Sequence, residues 1–397
     1  MSPRRQQWAE VDLAAVAHNV AALSSIVAPS AVCAVVKADA YGHGAVPVAE
    51  VALAAGASWL AVARVEEGVA LRDAGIVAPV LLLSEPLPAA MAEAVSRALT
   101  PTVYTAAGVA AVAAAARAGA SPVGVHLKVD TGMHRVGADP DEVPSLARAV
   151  AAAPDLWLEG LWTHLAVADD PSEDGFTAEQ LARLDGVRRA LAHGGIEVPI
   201  LHAANSAGAL AHPASRLDVV RCGIAVYGQP PSAARSGLAD LRPALSLHAR
   251  VSLVRRPDHD IRVSYGRRYT VAAGSQVATV PLGYADGVPR RLSEVGGEVL
   301  VGGRRRPVAG TITMDQLLVD CGPGADVAVG DEVVLLGRQG PDEVTAGEWA
   351  KSLGTISYEI LCGIGSRVPR IYTGAIRDPG EVVTGSGRYT DRIGDKR

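Results

Sequence analysis

The chain has 397 residues, 49% of them hydrophobic, enough to bury large cores and to build two or more domains. Its 37 basic and 42 acidic residues leave a net charge of −5, with no basic block that could neutralise a run of phosphates, so nucleic acid is excluded as a partner. No stretch reaches the about 18 apolar residues of a membrane span, and the opening MSPRRQQWAE lacks the apolar core of a secretory signal, which points to the cytoplasm. Cys33, Cys222, Cys321 and Cys362 are far apart with no C-x-x-C pair, and ten scattered histidines show no H-E-x-x-H spacing, so neither a disulfide framework nor a metal site is expected.

Eight short apolar runs follow one another between residues 33 and 228, separated by alanine-rich stretches suited to helices. They cover 33–36, 59–62, 80–83, 102–104, 123–129, 156–163, 200–203 and 219–226. Strands alternating with helices predict parallel β-α units, and eight of them predict a closed TIM-type (β/α)8 barrel, with a doubly wound open sheet as the alternative. From about residue 242 the pattern changes to short Val/Leu runs and glycine-rich turns, as in SLHARVSLV, SQVATVPLGY, TITMDQLLVD and VAVGDEVVLLG, which predicts a mostly β domain. One short helix is expected after Thr345, with Glu348 completing a capping box. The expected division is a barrel over 1–235, a β domain over 236–376 that the first ten residues or so could join, and a mobile tail over 377–397.

In a barrel of this kind the chemistry gathers at the carboxyl ends of the strands. Lys37 is the first polar side chain after a run buried on both faces, and a glycine-rich turn follows at once. That is the place for a Schiff-base lysine, because partial desolvation favours the neutral, nucleophilic amine; the plain alternative is a strand-end lysine in water. Gly42 and Gly44 let backbone approach a ligand, and Tyr41 offers a hydroxyl to an anion. At the other strand ends stand Lys128 and Asp130, His164, Asn205 and Ser206, and Arg221. Taken alone, Ser206 reads equally as a helix N-cap and Arg221 as an ion-paired residue.

The string AVVKADAYGHG strongly resembles the cofactor-lysine motif of the alanine racemase family, barrel enzymes that use pyridoxal 5'-phosphate (PLP). KVDTGMHRVG, GLWTHLA, HAANSAG, VRCGIAVYG, VSYGRRYT, PLGYADG, TITMDQ and TISYEILCGIGSRVPR extend the resemblance, in agreeing order, between residues 8 and 372. It implies interconversion of L- and D-alanine by two bases on opposite faces of a planar intermediate, supplying D-alanine for peptidoglycan. Lys37 would serve one face and Tyr265 the other, the tyrosine arriving from the partner subunit of an obligatory homodimer. A phenol needs help to act as a base at neutral pH, and His164, with Arg221 behind it, is the implied neighbour.

The resemblance further implies that Tyr41, Ser206, Gly223, Ile224 and Tyr358 bind the phosphate, and that Leu83, His164, Asn205 and Arg221 complete the cofactor site. An arginine beside the pyridine nitrogen leaves that nitrogen unprotonated and the ring a weaker electron sink, which suits racemisation with little leakage into transamination. Arg135 would take the substrate carboxylate, joined by the Met314 amide, with Asp315 steering a neighbouring cation and Tyr284 narrowing the entrance. Lys128 is carbamylated in several relatives and orients the arginine there; the alternative pairs Lys128 with Asp130 or Asp315. His134 replaces a glycine common before the arginine and Cys222 stands where proline is frequent, read as a change in the local turn and as neutral packing. Other readings are a serine or broad-specificity racemase, a decarboxylase of the related barrel type, or a non-catalytic PLP carrier, whose single-barrel form lacks the β domain.

Overall fold

All eight apolar runs are strands in the computed structural model, which describes residues 6–374, 376–378 and 381–382; the expected tail over 377–397 therefore lies almost wholly outside the described residues. An N-terminal strand, β1 (Gln7–Asp12), precedes the eight. They are β2 (Ala31–Val35), β3 (Ala57–Val62), β4 (Val80–Leu82), β5 (Thr102–Val103), β6 (Val123–Lys128), β7 (Leu156–Trp162), β8 (Ile200–His202) and β9 (Val219–Cys222). They pair in parallel in the orders β4-β3-β2-β9 and β5-β6-β7-β8. The two halves join through a parallel bridge between Leu81 and Thr100 and through the Asp218 and Arg221 amides, which donate to the carbonyls of Leu201 and Ala204. The ring is thus closed, and the open-sheet alternative is set aside.

Strand and helix boundaries follow local chemistry. β6 and β7 bury Val125, Leu127, Leu158 and Leu161 in one cluster with Val103, Met91 and the helix residues Val109, Val112 and Val143. Each such side chain contributes roughly 1.5–3 kcal/mol on leaving water. The alanine-rich helix Ala106–Gly119 starts where the Thr105 hydroxyl accepts the Gly108 amide. The eighth run ends earlier than its composition suggests. β9 stops at Cys222, because Gly223 (φ −106°, ψ −93°) turns out of the ladder and Ile224–Tyr227 forms a 3-10 turn.

The chain separates into two compact units, one of Ala15–Ala40 and Gly44–Arg242, the other of Met1–Ala14, Tyr41–His43 and Pro243–Arg397. The second unit is mostly β. Besides β1, its strands are β10 (Leu245–Arg250), β11 (Leu253–Arg255), β12 (Ile261–Val263), β13 (Tyr269–Val271), β14 (Ser275–Val280), β15 (Glu298–Val301), β16 (Arg304–Pro307), β17 (Leu317–Pro323), β18 (Glu332–Gln339), β19 (Asp342–Val344), β20 (Arg370–Thr373) and the short antiparallel pair β21 (Ile376–Asp378) and β22 (Glu381–Val382). The main sheet runs β16-β15-β18-β10-β1-β20, with β19 paired to β18. β1 is antiparallel to β10, Gln7 opposite Ala249, and parallel to β20, Ala9 opposite Arg370. β11-β14-β17 form a smaller sheet and β12-β13 a hairpin. The expected helix is Ala346–Leu353, with Thr345 and Glu348 forming the capping box. A second helix, Ser357–Cys362, carries Tyr358 and was not expected: six residues give too little periodicity to read. Among the described residues no helix is long and apolar enough to cross a membrane.

Candidate active site

Lys37 opens a turn of unusual hand. Ala38, Asp39, Ala40 and Tyr41 have φ of 52°, 50°, 53° and 55°, so four consecutive non-glycine residues lie in the left-handed region. Each such residue costs roughly 1–2 kcal/mol, so the surroundings must hold the turn in place. They do so through two carboxylates. Glu67 accepts the Ala38 amide at 2.7 Å and the Ala63 and Arg64 amides at 2.8 and 3.1 Å, and Asp39 accepts the Ala45 amide at 2.7 Å. Lys37 itself is half-buried. Nothing in its local sequence flags Glu67, which is 30 residues away along the chain.

Beyond the other strand ends of the same unit stand the remaining candidates. Lys128 is 3% exposed, with its Nζ 4.2 Å from the centre of the Trp162 ring. Burial, then the charges of Arg221 and Arg135, push its pKa down from 10.5 to about 7. Asp130 accepts the Gly132 and His134 amides at 2.9 and 3.1 Å, so its carboxylate builds the loop that carries Arg135. His134 keeps that loop with φ of 54°, taking the left-handed conformation a glycine would favour. Arg135 is exposed.

Arg221 is fully buried and is engaged at both terminal nitrogens. Nη1 donates to Nδ1 of His202 at 2.9 Å; Nη2 shares its two protons among the Thr163 and Ala203 carbonyls at 2.8 and 3.1 Å and Nδ1 of His164 at 3.2 Å. Its Nε has no hydrogen-bond partner. Burial lowers its pKa only to about 10, so it keeps its charge at neutral pH. Burial, with the charges of Arg221, Lys128, Arg135 and Lys37 added, holds His164 well below the ordinary histidine range, so the ring is neutral with its proton on Nε2. Lys37, Lys128, Arg135 and Arg221 thus act on a common space in which positive charge dominates, a setting for an anionic ligand.

Ser206 is not the N-cap. Asn205 holds that position, accepting the Gly208 amide at 2.9 Å, while Ser206 is the first helical residue and its hydroxyl accepts the Gly223 amide at 2.9 Å and that of Ala225 at 3.4 Å. Ser206, Gly223 and Ile224 are therefore neighbours. Leu83 follows β4, its amide donating to the Val62 carbonyl. Cys222 is buried, consistent with packing.

The other unit gathers its own candidates. Tyr41 and Tyr358 stand with ring centres 6.1 Å apart. Tyr265 follows Ser264 (φ 59°) beyond the β12 hairpin strand, its carbonyl accepting the Thr311 hydroxyl at 2.9 Å, which ties VSYGRRYT to TITMDQ. Tyr284 and Ala285 donate their amides to the Thr313 and Met314 carbonyls, each at 3.0 Å, and Gly283 has no room for a side chain there. Tyr265, Tyr284 and Met314 are 72%, 43% and 52% exposed. Asp315 pairs at 2.8 Å with Arg367, which also lies 3.3 Å from the buried Asp286. Arg367 is thus the cation beside Asp315. Trp162, His202, His126 and Glu67 carry no signal of their own in the sequence, although Trp162 lies in GLWTHLA and His202 in HAANSAG.

The alanine racemase N-terminal domain family matches residues 11–231 and the alanine racemase C-terminal domain family matches residues 244–372. The chain belongs to the alanine racemase family. Among its relatives, the alanine racemase of Symbiobacterium thermophilum is 48% identical over 93% of this chain and 98% of that protein. The crystal structure of alanine racemase from D-cycloserine-producing Streptomyces lavendulae superposes with a TM-score of 0.87 at 39% identity, covering 95% of this chain and 99% of that one. The Bacillus anthracis alanine racemase with bound L-Ala-P does so with a TM-score of 0.87 at 38% identity, covering 96% and 98%. The match in length extends the likeness to both domains.

Proposed function

We propose that this member of the alanine racemase family interconverts L- and D-alanine with PLP held by Lys37, and so supplies D-alanine for peptidoglycan. The observation that carries the cofactor assignment is the buried Nε of Arg221, a donor left without a partner while both terminal nitrogens are engaged. An unsatisfied buried donor costs roughly 1–3 kcal/mol. A ring nitrogen with a free lone pair is the acceptor that would satisfy it, and the residues present therefore fit the pyridine of PLP. When bound, PLP supplies the electron-withdrawing system that makes the Cα–H of alanine acidic.

The side chains divide the remaining work. The Lys37 amine receives or returns the Cα proton on one face, and the Tyr265 hydroxyl, brought by a partner subunit, does so on the other. Arg221 donates a hydrogen bond but, with a pKa of about 10, not its proton. His164, neutral and bound to Arg221, is a hydrogen-bonding partner for the tyrosine. Arg135 takes the substrate carboxylate in a two-point clamp, supported by the Met314 amide and the Asp315–Arg367 pair. Tyr41, Tyr358, Ser206 and the Gly223 and Ile224 amides hold the phosphate, Asn205 and Leu83 shape the pocket, and Tyr284 narrows the entrance. A neutral amine near pH 7 makes Lys128 open to carbamylation, which would turn the neighbour of Arg135 into an anion. The exposure of Tyr265, Tyr284 and Met314 supports a homodimer, and the four free cysteines support a cytoplasmic setting.

The test is an absorbance spectrum of purified protein supplied with PLP, before and after borohydride, followed by mass mapping and a chiral assay on alanine and serine. The expected result is a visible band, a reduced adduct on Lys37 and faster turnover of alanine than serine. Tyr265→Phe should keep the band and lose most turnover, at least about 100-fold. A colourless protein, or an adduct elsewhere, would overturn the assignment.

A further inference from the structure

Behind Arg221 runs a chain of ring nitrogens that ends on a carboxylate. His202 receives Nη1 of Arg221 on its Nδ1 at 2.9 Å, and its Nε2 lies 2.8 Å from Nδ1 of His126. Nε2 of His126, which has no hydrogen bond of ordinary geometry, faces Oε2 of Glu159 at 3.5 Å. His126 and His202 are 1% exposed, whereas the Glu159 side chain is 26% exposed. The chain therefore runs from the proposed cofactor site outward.

Its direction is dictated by what each group can do. A guanidinium only donates, so Nδ1 of His202 must present a lone pair. His202 is neutral, because burial and the charge of Arg221 hold its pKa well below the ordinary value, and its one proton is on Nε2. That proton is donated to Nδ1 of His126, which leaves the His126 proton on Nε2, pointed at Glu159. The strands make room for this arrangement. His126 and Gly160 are opposite one another in the β6-β7 ladder, and a Cβ on Gly160 would lie 2.4 Å from Nδ1 of His126. A Cβ on Gly124 would lie 2.6 Å from Oε2 of Glu159. Trp162 stacks on His202 with ring centres 5.3 Å apart and lies 4.4 Å from the Arg221 guanidinium, which restricts both.

We propose that Glu159 is a positioning residue for Arg221: its carboxylate, 3.5 Å from Nε2 of His126, terminates the chain, reinforces the Nε2–H tautomers that the guanidinium imposes on His202 and His126, and so steadies the plane in which Arg221 presents Nε–H. The last link, to the cofactor ring, rests on the function proposed above. The first test therefore uses protein without PLP. Labelled with 15N-histidine and 15N-arginine, it should show His126 and His202 protonated at Nε2 and bare at Nδ1. Glu159→Leu, which removes the acceptor, should mix the tautomers of His126 and shift the His202 and Arg221 Nε signals. Glu159→Gln, whose amide oxygen still accepts, should keep the wild-type pattern.

In the loaded enzyme, Glu159→Leu should lower kcat roughly tenfold and leave KM for alanine within about twofold, with Glu159→Gln restoring most of the loss. A protonated Nδ1 on His202, or a Glu159→Leu spectrum identical to wild type, overturns the chain. Altered tautomers with unchanged kcat overturn the positioning role. Should Glu159→Leu fail to fold, the wild-type and Glu159→Gln tautomers still decide, since an Nδ1–H on either histidine contradicts the chain. Correct tautomers in a wild type inactive on alanine would leave the chain standing and remove the racemase reading alone.

Discussion

A lysine 3% exposed, facing an indole ring and two guanidinium charges, is costly for the barrel unit to hold in its charged form. The folded-state pKa of about 7 lies below the usual 10.5, so between those values the unfolded chain binds the proton that the native protein has released. Stability must therefore rise with pH across that window, by up to about 1.4 kcal/mol per unit. Below pH 7 both states are protonated and the full burial cost of the charge remains. In bicarbonate-free buffer, chemical denaturation of wild type should show that rise and Lys128→Met should lack it. Equal slopes in the two proteins would mean that Lys128 stays charged. At this scale the sequence was readable wherever a role is announced by neighbours in the chain: Lys37 ends an apolar run, and Arg221 sits in VRCGI. It was silent on Glu67, His126, Glu159 and Arg367, each of which acts on a group at least 29 residues away in the chain or across a sheet.

Elements tell a similar story with a different limit. The eight barrel strands were legible because strands buried on both faces read as continuous apolar runs. Hydropathy reports burial but not hand, so the left-handed turn after Lys37, made of alanine, aspartate and tyrosine, carried no signal. The loop that holds Arg135 depends on a comparable constraint. Gly137 has φ of 135°, and a Cβ there would stand 2.7 Å from the Asp130 amide nitrogen, so that loop closes onto β6 only with glycine. Gly137→Ala should cost about 1–3 kcal/mol of stability and displace Arg135. Titration with PLP should give the wild-type band while KM for alanine rises by about tenfold or more. An unchanged KM would separate Arg135 from the substrate carboxylate.

At the scale of the whole molecule, the decisive question is whether one chain contains a complete set of acid-base groups. Tyr265 is 72% exposed on one unit, whereas Lys37 is half-buried on the other, and the proposed homodimer assigns them to sites shared between subunits. That assignment has a stoichiometric consequence. Lys37→Ala and Tyr265→Phe should each be nearly inactive alone. When the two are co-expressed, a mixed dimer pairs the intact Lys37 of one chain with the intact Tyr265 of the other at one of its two sites. Random assembly makes half of the dimers mixed, so the mixture should recover roughly a quarter of wild-type turnover. If both groups came from the same chain, every site would lack one of them and mixing would recover nothing. The recovered turnover per chain, like that of wild type, should also fall on dilution, because separated subunits would hold only half of the machinery each.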